Sequence, residues 1–476
     1  MDDVVVPLVD ETGHWTHRDR HQHRQFEIDV PDRTVELRIR FRWGPLDMGS
    51  EHEQNQLGIS LFGPDGFRGT AAAGVRGDQV ITVGESAASL GSLAGPIPPG
   101  AWAINVDSGE ILNDGGETGR LTWHLEATAR IAGSGDRDEP KPGRAAAGVA
   151  ERRAPARGDR WYRGDLHSHT VHSDGVITVE DRVRGAAQRG LDFLAITDHN
   201  TISHHRELDG WPDGITPIRG SEVTTFHGHI NCFGLARLVD WRDDARGRGA
   251  AAIVDQAHRQ DALVSINHPN AFGDPWCTGC HWDFAQVDFS TIDAIEVWNG
   301  RWAIPETDNI GALAFWTDLL DAGLRPTAVS GTDSHSAEED AYPGLPMTYV
   351  HANECTEQSI LEGIRRGRVF LSAGPIVSFR ARASDGVDIA LPGEQLPGDA
   401  TFSLTVDVEQ LRAPATLWYA TSGSMTALGE CGPAQTRVRH EQLTAKTWWR
   451  LEVREGSAAT DDLLAITNPV YAAGRA

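Results

Sequence analysis

VEDRVRGAAQRGLDFLAITDHN, residues 179–200, is the stretch that decides the fold. Its first half is charged and alanine-containing and reads as a helix; Arg-Gly then turns the chain. LDFLAI is a short apolar run interrupted by one aspartate, the pattern of a strand covered on both faces. TDHN follows at once, so a carboxylate and an imidazole stand where the strand ends. The same order recurs. GAAAIVDQAHRQ leads into DALVSINHPN, and GALAFWTDLLDAG leads into RPTAVSGTDSHS. Repeated helix–strand units predict an α/β fold with a parallel sheet or barrel, whose functional residues gather at the strands' C-terminal ends.

Outward from this centre the pattern changes on both sides. Residues 1–131 alternate apolar and polar positions in short runs such as TVELRIRFRW and AWAINVDSG, separated by Gly, Pro and Asp. That predicts an antiparallel β-sandwich-like domain, with His14, His17, His21 and His23 on its surface. Residues 132–160 are rich in Gly, Pro, Ala and charge and read as a linker. Residues 161–374 hold the helix–strand units. Residues 375–476 return to short strands, IVSFRARAS and TWWRLEVREG among them, and predict a second β-domain.

Composition narrows the function. The chain has 476 residues, too long for one ordinary core, with a formal charge of −25 from 43 basic and 68 acidic side chains. That balance disfavours a nucleic-acid surface. No apolar run approaches the roughly 20 residues that span a bilayer, and MDDVVVPLVDETGHW has no secretory pattern. Five cysteines make no disulfide framework. The expectation is a cytoplasmic protein acting on a small molecule, of unspecified oligomeric state.

The chemistry is concentrated in DLHSHTVHSDG, residues 165–175. With Leu166 to Thr170 as a strand, His167 and His169 share a face. Paired imidazoles are a natural half-site for Zn, Mn or Fe, and the SDG turn swings Asp174 toward the same mouth. HxH alone is weak. Four further segments deliver the same residue types after apolar runs: His199 in TDHN, Glu222 after IRGS with His229 in GHIN, His268 in NHP, and Asp333 with His335 in DSH. Such a set suits a metal-binding centre. Cations would lower the pKa of a shared water, giving hydroxide at neutral pH, and polarise the bond under attack, with no nucleophilic side chain required.

This ordered set resembles the PHP superfamily, named for its polymerase and histidinol-phosphatase members, over about residues 161–373. GHIN, EVWNG, ITNPVY and the β-rich flanks are more similar to its carbaryl-hydrolase-like branch. The resemblance implies a distorted (β/α)7 barrel with two or three divalent metals at its rim. One metal would be held by His167, His169, Glu222 and Asp333. Glu222 would bridge to a second, with His229 and His268, and Asp174, His199 and His335 would hold a third. It implies a hydrolase acting on a phosphoester or on a carboxylic or carbamate ester, with Glu222 and Asp333 at the reacting centre. The rival class is a non-catalytic binding protein with a degenerate barrel.

Other residues carry two readings each. Asp165 and Asp198 either orient ligand imidazoles or cap turns. His172 belongs at the site's edge, and His227 is the reserve for His229. His204 and His205 line the mouth or sit on an exposed loop; His258 is structural. Asn200 and Asn270 donate to substrate or finish turns. Arg301 clamps an anion or lies on the surface. Trp276, Trp282, Trp298 and Trp302 form an aromatic pocket or pack the core. Cys277, Cys280 and His281 match a haem-attachment pattern, but their context predicts two reduced cysteines in a substrate-lining loop.

Overall fold

The computed structural model describes residues 3–46, 54–71, 77–133, 157–208, 211, 214–242, 249–341, 344–398, 400–444 and 447–472. Most of the expected linker, residues 134–156, lies outside them. The protein is rich in strands and has few helices. No described helix is long and apolar enough to cross a membrane.

The N-terminal strands form two four-stranded antiparallel sheets. One runs Val4–Trp15, Leu121–Ile131, Thr34–Gly44, Asp78–Gly84; the other runs Gln22–Val30, Gly100–Ser108, Leu57–Gly63, Gly66–Ala71. Leu37, Ile39 and Phe41 of the first sheet and Leu57, Ile59 and Ile104 of the second are buried in one core. TVELRIRFRW supplies this because alternate residues of a strand face opposite sides.

The centre is a ring of seven strands: Arg157–Asp165, Phe193–Ile196, Thr216–Thr224, His229–Phe233, Leu263–Ile266, Ala294–Asn299 and Thr327–Gly331. Neighbours pair in parallel except His229–Phe233, which is antiparallel to both of its partners. The ends meet through a parallel bridge between Ser168 and Ser334. There the Asp333 amide donates to the His167 carbonyl at 2.9 Å, and the His169 amide to Ser334 at 3.0 Å. The regular strand thus stops at Asp165 rather than running through Thr170.

Helices Val179–Gln188, Ala250–His258 and Asn309–Asp321 occupy the segments read as helical. Val179–Gln188 also locks the ring's closure. Its buried Arg182 donates to the His169 carbonyl, the Ser334 carbonyl and hydroxyl, and Asp340.

The same sheet continues from Arg157–Asp165 through Met347–Glu354 and Val369–Ser372 into Leu463–Thr467, Trp448–Glu455, Ala415–Thr421 and Ser424–Cys431. Backbone pairing therefore runs unbroken across residue 375. A four-stranded sheet of Asp388–Ile389, Ile376–Ala383, Thr401–Glu409 and Arg437–Thr444 covers it, burying Phe402, Val406 and Trp449.

Two of the N-terminal histidines are not free surface groups. His23 pairs with Asp107 and has a side chain only 4% exposed. His21 and His23 both stack on Phe226, in the turn between Thr216–Thr224 and His229–Phe233, and His21 pairs with Asp274 at 2.9 Å. They dock the N-terminal sheets, because an imidazole offers a flat apolar face as well as a polar edge.

Candidate metal centre

Six of the seven ring strands deliver donor residues to one cluster. His167 and His169 follow Arg157–Asp165, and His199 follows Phe193–Ile196. Glu222 lies in Thr216–Thr224, and His229 opens its own strand. His268 follows Leu263–Ile266, and Asp333 and His335 follow Thr327–Gly331. His268 and Asp333 have φ of 25° and 51°. That left-handed backbone turns the chain sharply at the strand end and costs conformational energy.

Glu222 is the centre of the arrangement, 1% exposed. Its Oε2 lies 3.2 Å from His167 Nε2, 3.4 Å from His169 Nε2 and 3.1 Å from His199 Nδ1. Its Oε1 lies 3.2 Å from His229 Nδ1 and 3.3 Å from His268 Nε2. Each carboxylate oxygen thus faces its own set of imidazoles. Asp333 Oδ1 adds to the first set, 3.2 Å from His167 Nε2 and 2.9 Å from His169 Nε2. On the outer side, Asp174 reaches His199 Nε2 at 3.5 Å and His335 Nε2 at 3.4 Å. The His169 ring is stacked between His199 and His335, with centroids 4.4 and 4.3 Å away.

Burial and charge shape this cluster together. Burial resists ionising Glu222, yet His167, His199 and His229 hold its pKa well below the usual carboxylate range. Asp333 behaves alike, with His167 and His169 overcoming burial. Burial also resists charging His167, but Asp333, Glu222 and Glu296 hold its pKa well above that of an ordinary imidazole. His169, buried beside His335 and His199, is pushed down to about 4. The ionised carboxylates and the neutral His169 are already in cation-binding form, and at His167 a cation would take the place of the proton that these carboxylates favour.

Among the described residues, buried His167 Nε2, His169 Nδ1 and Glu222 Oε2 have no hydrogen-bond partner. Buried polar atoms without partners are costly, so His167 Nε2 and Glu222 Oε2, which face each other, and His169 Nδ1, which faces Asp174, mark places for a ligand. Donor atoms of His167, His169, Glu222 and Asp333 lie within 4.8 Å of one another; so do those of His169, Asp174, His199 and His335, and those of His199, Glu222 and His229. His199 therefore faces both the outer set and Glu222, where the sequence reading placed it only in the outer set. The nitrogen and oxygen donors fit Zn, Mn or Fe.

Five positioning groups, three side chains and two backbone carbonyls, were not assigned that role from the sequence. Glu296 Oε1 accepts from His167 Nδ1 at 2.9 Å, and its Oε2 accepts from the His268 amide and from Asn299 Nδ2. Asn299 Nδ2 also reaches Asp333 Oδ2 at 3.2 Å. Asn267 Nδ2 donates to Glu222 Oε1 at 2.8 Å. Backbone carbonyls of Thr278 and Cys280 accept from His229 Nε2 and His268 Nδ1. Glu296 had a signal: a carboxylate inside the apolar run AIEVW requires a buried partner.

The remaining candidates lie elsewhere. His227 is 45% exposed and pairs with Asp283, so His229 takes the inner position. His172 is buried between Ser203 and Glu207, away from the centre. Asn200 is committed to Thr224, donating to its carbonyl and accepting from its amide. Asn270 lines a cavity of about 470 Å³ with Phe226, Phe272 and His281. Arg301 is exposed.

Asp165 accepts from the amides of His167 and Thr332 and from Arg189, stitching backbone rather than aiming a ring. Asp198 accepts from Thr170 and Ser173 and lies 3.1 Å from His204 Nδ1. His204 is accordingly buried, neither at the mouth nor on an exposed loop. His205 donates to the Gly220 carbonyl, and His258 pairs with Asp293. Trp298 and Trp302 are core residues, so no four-tryptophan pocket forms; Trp276 is exposed and Trp282 packs on Phe284. Cys277 and Cys280 are joined as a disulfide instead of being reduced.

Residues 165–271 match the family described as PHP domain. A 5'-3' exoribonuclease of Haemophilus influenzae is 25% identical over 247 residues, covering 48% of this chain and 80% of that protein. A probable phosphatase of Edwardsiella ictaluri is 30% identical over 131 residues, covering 23% of this chain and 54% of that protein. A solved structure from Bacteroides vulgatus, described as a two-domain protein containing a predicted PHP-like metal-dependent phosphoesterase, covers 68% of this chain and all of its own at 20% identity and a TM-score of 0.38. The histidine- and carboxylate-bearing strand ends between Asp165 and Ala271 lie within the segment that matches the PHP domain.

Proposed function

We propose that this chain is a metal-dependent phosphoester hydrolase. The observation that carries the reading is Glu222, whose two oxygens each face a separate set of imidazoles, as a carboxylate shared between two cations must. His167, His169, Glu222 and Asp333 would hold one cation, and Glu222, His229 and His268 a second. Asp174, His199 and His335 would hold a third. Divalent cations there would lower the pKa of water and polarise the ester under attack.

The chain's own residues prepare that chemistry. Glu296 keeps the His167 proton on Nδ1, leaving Nε2 to face Glu222 and Asp333. Asn267 and Asn299 orient Glu222 and Asp333. His167 and His169 are fully buried, whereas Asp333, His335 and Asp174 are 24%, 32% and 35% exposed. Substrate therefore reaches the cluster from the Asp333–Asp174 edge. We read the seven-strand ring as the distorted (β/α)7 barrel, and the sheets of residues 1–131 and 375–476 as β-domains flanking it.

Phosphoesters are favoured because the relatives named above are an exoribonuclease and a probable phosphatase. The test compares initial rates of the Mn- and Zn-loaded protein on an aryl phosphate, a diaryl phosphate and an aryl N-methylcarbamate with one leaving group. Turnover of either phosphate, lost in H167A, is the expected result. Carbamate turnover alone would move the protein to the carbamate-ester reading. No turnover of any of the three, with cations bound, would favour a non-catalytic barrel.

A further inference from the structure

The loop that carries the disulfide lies against the Glu222 Oε1 side of the cluster. The Thr278 carbonyl accepts from His229 Nε2 at 3.0 Å, and the Cys280 carbonyl accepts from His268 Nδ1 at 3.2 Å. Those bonds leave His229 Nδ1 and His268 Nε2 facing Glu222 Oε1. Cys280 Sγ lies 4.0 Å from His229 Nδ1, the same atom that faces Glu222. One donor atom from each of His229, Cys277 and Cys280 falls within 4.8 Å of the others. From the far side Gln56 grips the loop, accepting from the Thr278 amide at 3.1 Å and donating to the Pro275 carbonyl at 3.2 Å. The hydrolysis proposed above uses neither sulfur.

A thiolate is a strong ligand for zinc; a disulfide sulfur is not. On one tetrahedral zinc, a sulfur at about 2.3 Å and a nitrogen at about 2.0 Å stand about 3.5 Å apart. Cys280 Sγ is therefore within about 0.5 Å of a ligand's place beside His229 Nδ1. Both cysteines are half-buried, within reach of a reductant.

We propose that Cys277 and Cys280, once reduced, form with His229 a sulfur-bearing metal subsite, and that their disulfide abolishes it. The inference rests on the cluster being a metal centre and adds that its metal preference depends on redox state. In reduction the S–S bond takes up two electrons and two protons from a dithiol, which closes to its own disulfide. Metal binding then releases the thiol protons to solvent, and each thiolate donates an electron pair. The oxidised loop leaves only nitrogen and oxygen donors around Glu222 Oε1. The reduced loop adds sulfur and favours zinc or cobalt over manganese.

The test titrates cobalt(II) into the metal-free full chain before and after treatment with a trialkylphosphine. The phosphine opens the disulfide, becomes the phosphine oxide with oxygen from water, and is removed before titration. A thiolate-to-cobalt charge-transfer band that arises only after reduction, and is absent from C277S/C280S, is the expected result. Cobalt d–d absorption without that band in the reduced protein would overturn the sulfur subsite while leaving the metal centre intact. A band that persists in C277S/C280S would also overturn it. No cobalt absorption in either state would overturn the metal centre itself.

Discussion

Glu296 Oε1 lies 2.9 Å from His167 Nδ1, and both side chains are buried to within 2% of completely. This pairing fixes which ring nitrogen of His167 is left to face the cluster. Residues that orient a ligand imidazole set metal affinity nearly as strongly as the ligands do. E296Q is therefore expected to weaken metal binding by about 10–100-fold while the protein stays folded. Competition with a chelator measures this; unchanged affinity would show that Glu296 does not position His167.

Gly331 is required by space. A Cβ there would overlap His167 Cβ and stand 2.8 Å from Glu296 Oε1. G331A should therefore push the very pair that shapes the first subsite. We expect a loss of about 1–3 kcal/mol in stability, the usual cost of overpacking, together with weakened metal binding. Urea titration and metal content read the two effects separately.

Arg182 closes the ring from outside the cluster. It ties the His169 and Ser334 carbonyls to Asp340 while only 2% exposed. R182L would strip the His169 carbonyl of both its Arg182 donors and remove one donor from the Ser334 carbonyl and from Asp340, which keep the His169 amide and Arg189. The expected destabilisation is about 1–3 kcal/mol, the cost of buried groups losing a hydrogen-bond donor. A denaturation midpoint within error of wild type would contradict this role.

His205 links stability to pH. Burial, then neighbouring His204, push its pKa down to about 3, against the pull of the Gly220 carbonyl. An unfolded histidine titrates near ~6.5. Below that pH the unfolded chain takes a proton that the folded ring refuses. This contribution to stability is therefore present at neutral pH and declines as pH falls toward about 3. H205Q should lose less stability than wild type between about pH 7 and 5. Equal losses in the two proteins would count against it.

The candidate ligands at the strand ends were legible because metal chemistry favours His, Asp and Glu, and because apolar runs mark where each strand stops. That is why His167, His199, Glu222, His268 and Asp333 could be named without a structure and lie together in it. Choosing His229 over His227 rested on resemblance alone, since both precede the same apolar run. Contacts remote in sequence were not legible. Glu296 meets a histidine 129 residues earlier, and nothing local names that partner. The carbonyls of Thr278 and Cys280 act through backbone, which side-chain identity does not report. His204 and His172 failed for the opposite reason: they carry ligand chemistry, but Asp198, Ser203 and Glu207 engage them outside the cluster.

The central claim is that Glu222 is shared between cations that act in phosphoester hydrolysis. Its most direct test pairs metal content per chain with phosphoester turnover, in wild type and in E222Q. The account predicts more than one divalent cation per wild-type chain with turnover, and in E222Q a folded protein with fewer cations and no turnover. An E222Q protein that keeps wild-type metal content and turnover would contradict it.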